Sequence, residues 1–344
     1  MATLLPFGMK TLRAFLLTLA LAAAPSLSAQ VLDLTIHDAG LAIGDKPSMT
    51  GLRLNFRDAH LEKVTGANIT IWSPQRPVTG LVKGMALGLP LTGANRIQGL
   101  GVGLFGLSVD NSISGIGVGG IGLGSGGDLR GIMLGGIGVG SGGSTDGITI
   151  GGIGVGAGGR MRGLQVGGIG VGGSGEVSGI TIGGIGVGAG GRLSGLAIGG
   201  IGVGGGGYFT GLGVGGIGMG VGGDATGVMI GGIGVGAGGR LKGLTIGGVG
   251  IGAPAITGVA LTPIAAGGLN VHAIVVSGLY FKIEEAGRFD GGAISSITNI
   301  QGAQHGLTIG LINYARELHG VQIGILNISD NDNHRRVIPI FSRR

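Results

Sequence analysis

The segment 147–162, GITIGGIGVGAGGRMR, returns almost unchanged at 179–194 and 227–242. Its leading glycine recurs every 16 residues, at Gly115, Gly131, Gly147, Gly163, Gly179, Gly195, Gly211, Gly227 and Gly243. A fixed period of this length means that each unit is one small element that cannot bury its apolar surface alone and becomes stable by stacking on its neighbours. With looser spacing the same mark falls upstream at Gly51, Gly66, Gly80 and Gly99, and downstream at Gly258, Gly278, Gly292, Gly306 and Gly320, which makes 18 units. Composition changes near 99 and 258, but the repeat runs through both points. We therefore read one repeat domain, 51–328, with a glycine-saturated core at 99–257 and looser flanks at 51–98 and 258–328. A lead-in at 30–50 precedes it and a tail at 329–344 follows.

Within a unit the columns have distinct chemistry. The residue before the leading glycine is polar almost throughout (Arg130, Asp146, Arg162, Ser178), with Gly291 the exception in this register, so that column is expected to face solvent. The residues one and three places after the mark are aliphatic, as in Ile148 and Ile150, which predicts a short strand burying that pair. Past Gly151 and Gly152 the aliphatic parity changes, to Ile153 and Val155. A glycine corner or bulge would return both pairs to one face. In the C-terminal units Asn299, Asn313 and Asn327 replace a glycine seven places after the mark. Since Asn is the non-glycine residue best suited to positive φ, the exchange predicts a left-handed backbone there.

Glycine fills 89 of 344 positions, but 9 prolines cannot sustain a collagen triplet. The chain is 43% hydrophobic and 11% charged, the reverse of a disordered composition. Aromatics are 3%, so the core must be aliphatic. With no cysteine, disulfides, thiolate metal sites and a cysteine nucleophile are excluded.

Residues 1–29 have the form of a cleavable secretory signal: Lys10 and Arg13, an apolar run from Ala14 to Ala24, then Leu27, Ser28 and Ala29. That run is shorter than the roughly 20 residues of a membrane-spanning helix. Removing the segment takes the net charge from +6 to +4. Tight basic clusters occur at His334, Arg335 and Arg336 and at Arg343 and Arg344, with no basic stripe of the kind nucleic acid requires. Export to the outer membrane or cell surface of a Gram-negative-type bacterium is the expected location.

The segments GLTIGLINYARELHG (306–320) and GVQIGILN (320–327), with the opening GLRLNF (51–56), resemble the bacterial surface repeat-containing proteins, whose unit reads roughly Gly-Leu-Gln-Ile-Gly-Leu-Val-Asn. The resemblance implies an exported, surface-associated protein and brings no catalytic residues.

Two all-β architectures suit such a unit. In a parallel β-solenoid each unit is one coil, and about 18 coils at ~4.8 Å give a rod on the order of 85 Å long. In an antiparallel outer-membrane β-barrel each unit is one strand with a turn, and the charge-free spans fit a lipid-facing strand. A meander should repeat every two units, carry aromatic girdles and have longer loops on one side. The single-unit period, uniform turns and scarce aromatics favour the solenoid.

No catalytic, cofactor-binding or metal constellation emerges. Gly-x-Gly-x-x-Gly matches at Gly154 and Gly170 carry no weight in so glycine-rich a chain, without the strand–helix context of a dinucleotide site. His305 and His319 lie one repeat apart in the polar column and read as solvated residues. Asp330 and Asp332 lack the rest of a calcium loop and read as a turn. Glu284, Glu285 and Arg288 read as a solvated face. Thr149, Thr181 and Thr245 share a column, but Met133, Gln165, Ala197, Gly213 and Met229 interrupt any flat ice-binding array. The expected function is a non-enzymatic structural or adhesive scaffold that contacts a surface partner or a second copy, takes no small-molecule substrate or nucleic acid, and associates with the outer membrane. The barrel alternative would be a pore or scaffold in that membrane.

Overall fold

The computed structural model describes residues 31–331 and 334–344. The expected signal segment 1–29, and Asp332, lie outside the described residues. The chain winds into a parallel β-solenoid of about 18 turns. In the regular coils a long strand such as Thr145–Gly151 is followed by a corner and a short strand such as Gly154–Ala157. Each pairs in parallel with its equivalent 16 residues away: Gly147 lies against Gly131 and Gly163, and Val155 against Val139 and Val171. An antiparallel barrel needs neighbouring units to run in opposite directions. The parallel, in-register stacking of every regular coil overturns that alternative.

The corner is stitched by the same stacking. Ile153 donates its backbone N–H to the Ile137 carbonyl at 2.6 Å, and Ile169 does the same to Ile153. From Gly250 onward the strands lengthen and run around the corner, as in Gly250–Thr262 and Ala265–Ser277. Both ends change direction. Leu32–Ile36 and Ala39–Ile43 form an antiparallel hairpin whose second strand lies parallel on Ser48–Asn55. Arg336–Arg343 folds back antiparallel on Val321–Ser329. Pro339 lies within that last strand, and an edge strand with a missing N–H is a poor template for further pairing.

The aliphatic pair after the leading glycine does not enter the core. Thr149 is 1% exposed, whereas its neighbours Ile148 and Ile150 are 37% and 38% exposed. The expected burial of that pair is thus reversed, and at the corner Ile153 also faces outward while Val155 is buried. The reason is the cross-section. Each coil directs a few side chains inward, at the positions of Thr145, Thr149, Val155 and Ala157, and those from the two sheets must share one thin layer. Volume is matched across that layer. At Gly213 an added Cβ would lie 2.6 Å from the Met219 sulfur and 3.0 Å from the Phe209 ring. Phe209 and Met219 occupy the space that Gly213 leaves.

Polar residues in the inward column are poorly satisfied. Gln165 is fully buried; its Oε1 accepts from Thr181 Oγ1 at 3.5 Å, and its Nε2 has no partner. Gln165→Met combined with Thr181→Val keeps the volume and removes the orphaned amide together with the hydroxyl bonded to it, so the pair should raise stability by about 1–2 kcal/mol. A urea midpoint equal to or below that of the parent chain would contradict this.

The left-handed backbone belongs to a different column from the expected one. The leading glycines from Gly99 to Gly243 have φ between 99° and 133°, and among the described residues the non-glycine residues with positive φ are His37, Asp38, Ala286 and Ile340. Asn313 and Asn327 are therefore not left-handed. They form a buried ladder in which Asn313 Nδ2 donates to Asn327 Oδ1 at 2.9 Å. Asn299 lies outside that ladder, because Thr298 is the residue paired with Asn313. The Gly151–Gly152 corner also has no positive φ; glycine is needed at Gly152 because a Cβ would sit 2.0 Å from the Gly136 carbonyl oxygen.

Three marks move as well. Gly66 pairs with Gly84 rather than Gly80, Gly258 with Ala273 rather than Gly278, and Ala273 with Gly291 rather than Gly292. Unit length varies there: Gly66 to Gly84 and Ala273 to Gly291 span 18 residues and Gly258 to Ala273 spans 15, and one unit carries a register shift between Ile283 and Arg288. In the corrected register Asp290 precedes the mark at Gly291, and the polar column has no exception there.

Candidate functional site

Stacking of coils creates several polar clusters, three of which carry charged side chains relevant to a site. The first is buried and lies at the N-terminal end. Arg53 is fully buried, and its guanidinium is ion-paired to Asp45 and Asp58. Arg53 Nη1 also donates to Asn68 Oδ1 at 2.8 Å, while Asn55 and Thr70 donate to Asp58, each at 2.6 Å. Asp45 accepts from the backbone N–H of His60 at 3.0 Å and lies 2.9 Å from His60 Nδ1. Every carboxylate oxygen in this cluster is engaged inside the chain, which makes it a structural lock. The lock went unread in the sequence because Arg53 stands between Leu52 and Leu54, the pair expected inside. In fact Arg53 occupies the inward column and the leucines the outward parity.

A second cluster lies on the solvent-facing column, where coil stacking aligns His272, Asp290, His305 and His319. The rings of His305 and His319 stack with centroids 5.0 Å apart. His305 Nδ1 is 3.8 Å from Asp290, which is held more closely by Arg288 at 2.6 Å. The Arg288 hydrogen bond holds the Asp290 carboxyl below the usual range. Among the described residues no group of three or more His, Asp or Glu is arranged to hold a metal ion. Glu284 pairs with Lys282 at 3.0 Å at the edge of the irregular segment.

The third cluster fastens the C-terminal strand. Asp330 accepts from Arg335 Nε at 2.9 Å and from the Tyr314 hydroxyl at 2.9 Å. Asn331 bonds both the N–H and the carbonyl of Leu318, each at 3.0 Å. The turn expected at Asp330 is therefore also a latch. The Arg335 guanidinium holds the Asp330 carboxyl below its ordinary value. A depressed carboxyl stabilises the fold above its unfolded pKa of about 3.9, and that contribution is lost as pH falls through the folded value. Amide exchange across 336–343, corrected for intrinsic rate, should therefore accelerate below about pH 4 while the central coils stay protected. Equal acceleration in the regular coils would refute the latch.

The largest features of the surface are apolar. Outward positions of the long strands form two aliphatic ladders, those of Ile148 and Ile150, and the corner adds a third, from Ile121 through Ile153 to Ile264. The short strands turn glycines outward, such as Gly154 and Gly156. With the corner isoleucines as one wall, they make a groove whose C-terminal part is about 800 Å³ and includes Ile217, Ile233, Tyr280, Lys282 and Glu284. At its N-terminal end the groove meets Pro74, Arg76 and Ser108. Charges gather on the turn edge instead, where Arg160, Glu176 and Arg192 succeed one another at the same position of their coils, with Asp128 two coils before.

The glycine motifs at Gly154 and Gly170 lie on this groove floor, in strands followed by turns and further strands. Thr149, Thr181 and Thr245 are buried, so they present no array to ice or a polymer. No protein-family model, curated protein or solved structure matches the chain.

Proposed function

We propose that this chain is an exported, non-enzymatic scaffold of the bacterial surface that makes structural or adhesive contact through the apolar sides of its rod. One observation carries the reading: aliphatic side chains form unbroken outward ladders along successive coils, and in the regular coils the charges lie on the turn edge and in the polar column before the leading glycine. Contiguous exposed apolar surface of this extent marks an interaction face. The signal-like start and the likeness of 306–327 to surface repeat proteins support export. The polar clusters act within the fold: the Arg53 lock closes one end and the Asp330 latch the other.

The test is fractionation of the native host, followed by treatment of intact cells with an external protease and an immunoblot for the chain. The expected result is an envelope-associated chain that the protease removes. A chain found in the cytosol and protected in intact cells would overturn the proposal.

A further inference from the structure

The exposed corner ridge and the groove beside it are complementary to each other. The ridge is one isoleucine per coil, about half exposed, from Ile121 to Ile233, continued by Val249 and Ile264. The groove runs along the same coils, with floor positions equivalent to Gly154 and Gly156. Ridge and groove thus share one length and one spacing, about 4.8 Å per coil.

In the floor column of Gly154 a Cβ would lie 3.1–3.6 Å from the next coil's carbonyl oxygen over Gly122 to Gly234, but the column of Gly156 is not glycine for any reason internal to the chain. A Cβ at Gly124, Gly140, Gly172, Gly188 or Gly220 would meet nothing within 4 Å, and none of these residues has positive φ. The same column carries Ser108 at one end and Lys282 at the other, so the backbone accepts side chains there. Glycine weakens a strand, and in strands it marks sites of close approach by another surface.

We infer that the occupant of the groove is the isoleucine ridge of a second copy of this chain. Two rods laid side by side in the same direction, related by a two-fold axis along their length, place each ridge on the other's glycine floor. Rods in opposite directions would set ridge against ridge and leave both floors empty. The nine coils from Ile121 to Val249, at ~4.8 Å each and with a strip roughly 20 Å wide, give about 860 Å² per copy, or about 1,700 Å² in total, within the range of stable interfaces. Across these nine coils the strip is aliphatic and glycine, so pairing buries no charge there. The inference rests on the scaffold reading only in that it names the partner of one apolar side. The long-strand ladders remain exposed in the pair.

The test is sedimentation velocity of the purified chain at micromolar concentration, alone and with phospholipid vesicles. The parent chain should sediment as a dimer. Gly172→Leu with Gly188→Leu fills the floor, and Ile185→Ser cuts the ridge; each should raise the dimer Kd by more than about tenfold, equivalent to 1.4 kcal/mol. Circular dichroism should be unchanged in both. Ile180→Ser, on the long-strand face, should leave the dimer intact. A monomeric parent chain, undiminished pairing in both variants, or equal loss in Ile180→Ser would overturn the inference. So would a monomer that co-sediments with vesicles, which would assign the groove to lipid. Any of these results in a chain that is still accessible to protease on intact cells leaves the scaffold reading standing.

Discussion

Arg53→Ala should lower the stability of the chain by about 3–5 kcal/mol, because it leaves two carboxylates facing each other without a counter-ion. Arg53 and Asp58 are buried, and Asp45 is largely so. The loss reflects the stranded acids more than any large net gain from the pairs, since desolvation offsets much of the Coulombic attraction in a buried ion pair. Two variants separate these contributions. Arg53→Met alone should be almost as damaging as alanine. Arg53→Met combined with Asp45→Asn and Asp58→Asn should recover a large part of the loss. Urea denaturation of the three variants checks this. A triple variant no more stable than Arg53→Met would show that the acids are not the source of the damage.

Gly179→Ala is the second large effect. Gly179 has φ of 105°, and its added Cβ would lie 2.2 Å from the Gly163 carbonyl oxygen. Backbone strain alone contributes about 1–3 kcal/mol. The contact adds to this, because it is with backbone and can be relieved only by spreading two coils that hydrogen-bond to each other. Gly188→Ala, nine residues on, should be neutral or stabilising by up to about 1 kcal/mol in the unpaired chain, at concentrations below the dimer Kd, since within one copy the position is open and has an ordinary φ. Thermal midpoints of the two variants therefore move apart. Equal midpoints would mean that the leading glycine is not held by its backbone geometry.

The period, the parallel stacking and the solvent-facing polar column were legible because each is a statement about equivalence between units. Once Gly147, Gly163 and Gly179 are aligned, the coil follows. The inward side was not legible, since the usual signal assumes that the apolar parity of a strand faces the core. Here Ile148 and Ile150 face out while Thr149 and Gln165 face in. The Arg53 lock was hidden for the same reason, because it stands in the column of Thr149 and Gln165. Its partners Asp45, Asp58 and Asn68 are brought to it by the loops and the next coil. The positive-φ column was misplaced because glycine has two uses in this fold that look alike in one dimension. At Gly147 it supplies a left-handed backbone, and at Gly152 it allows one coil to approach the next. The shifted marks at Gly84, Ala273 and Gly291 escaped because unit length changes in the flanks, and glycine abundance offers a wrong mark within a few residues of each true one.

The outward orientation of the aliphatic ladders is the central claim, and a chain without cysteine allows it to be measured directly. Thr149→Cys and Ile150→Cys are adjacent, lie on the long-strand face away from the groove, and differ only in which side of the strand they occupy. Their maleimide labelling rates in the native chain should differ by at least about tenfold, with Cys at 150 fast and Cys at 149 protected until the chain is unfolded. Equal rates, or a protected 150 beside a reactive 149, would contradict the account.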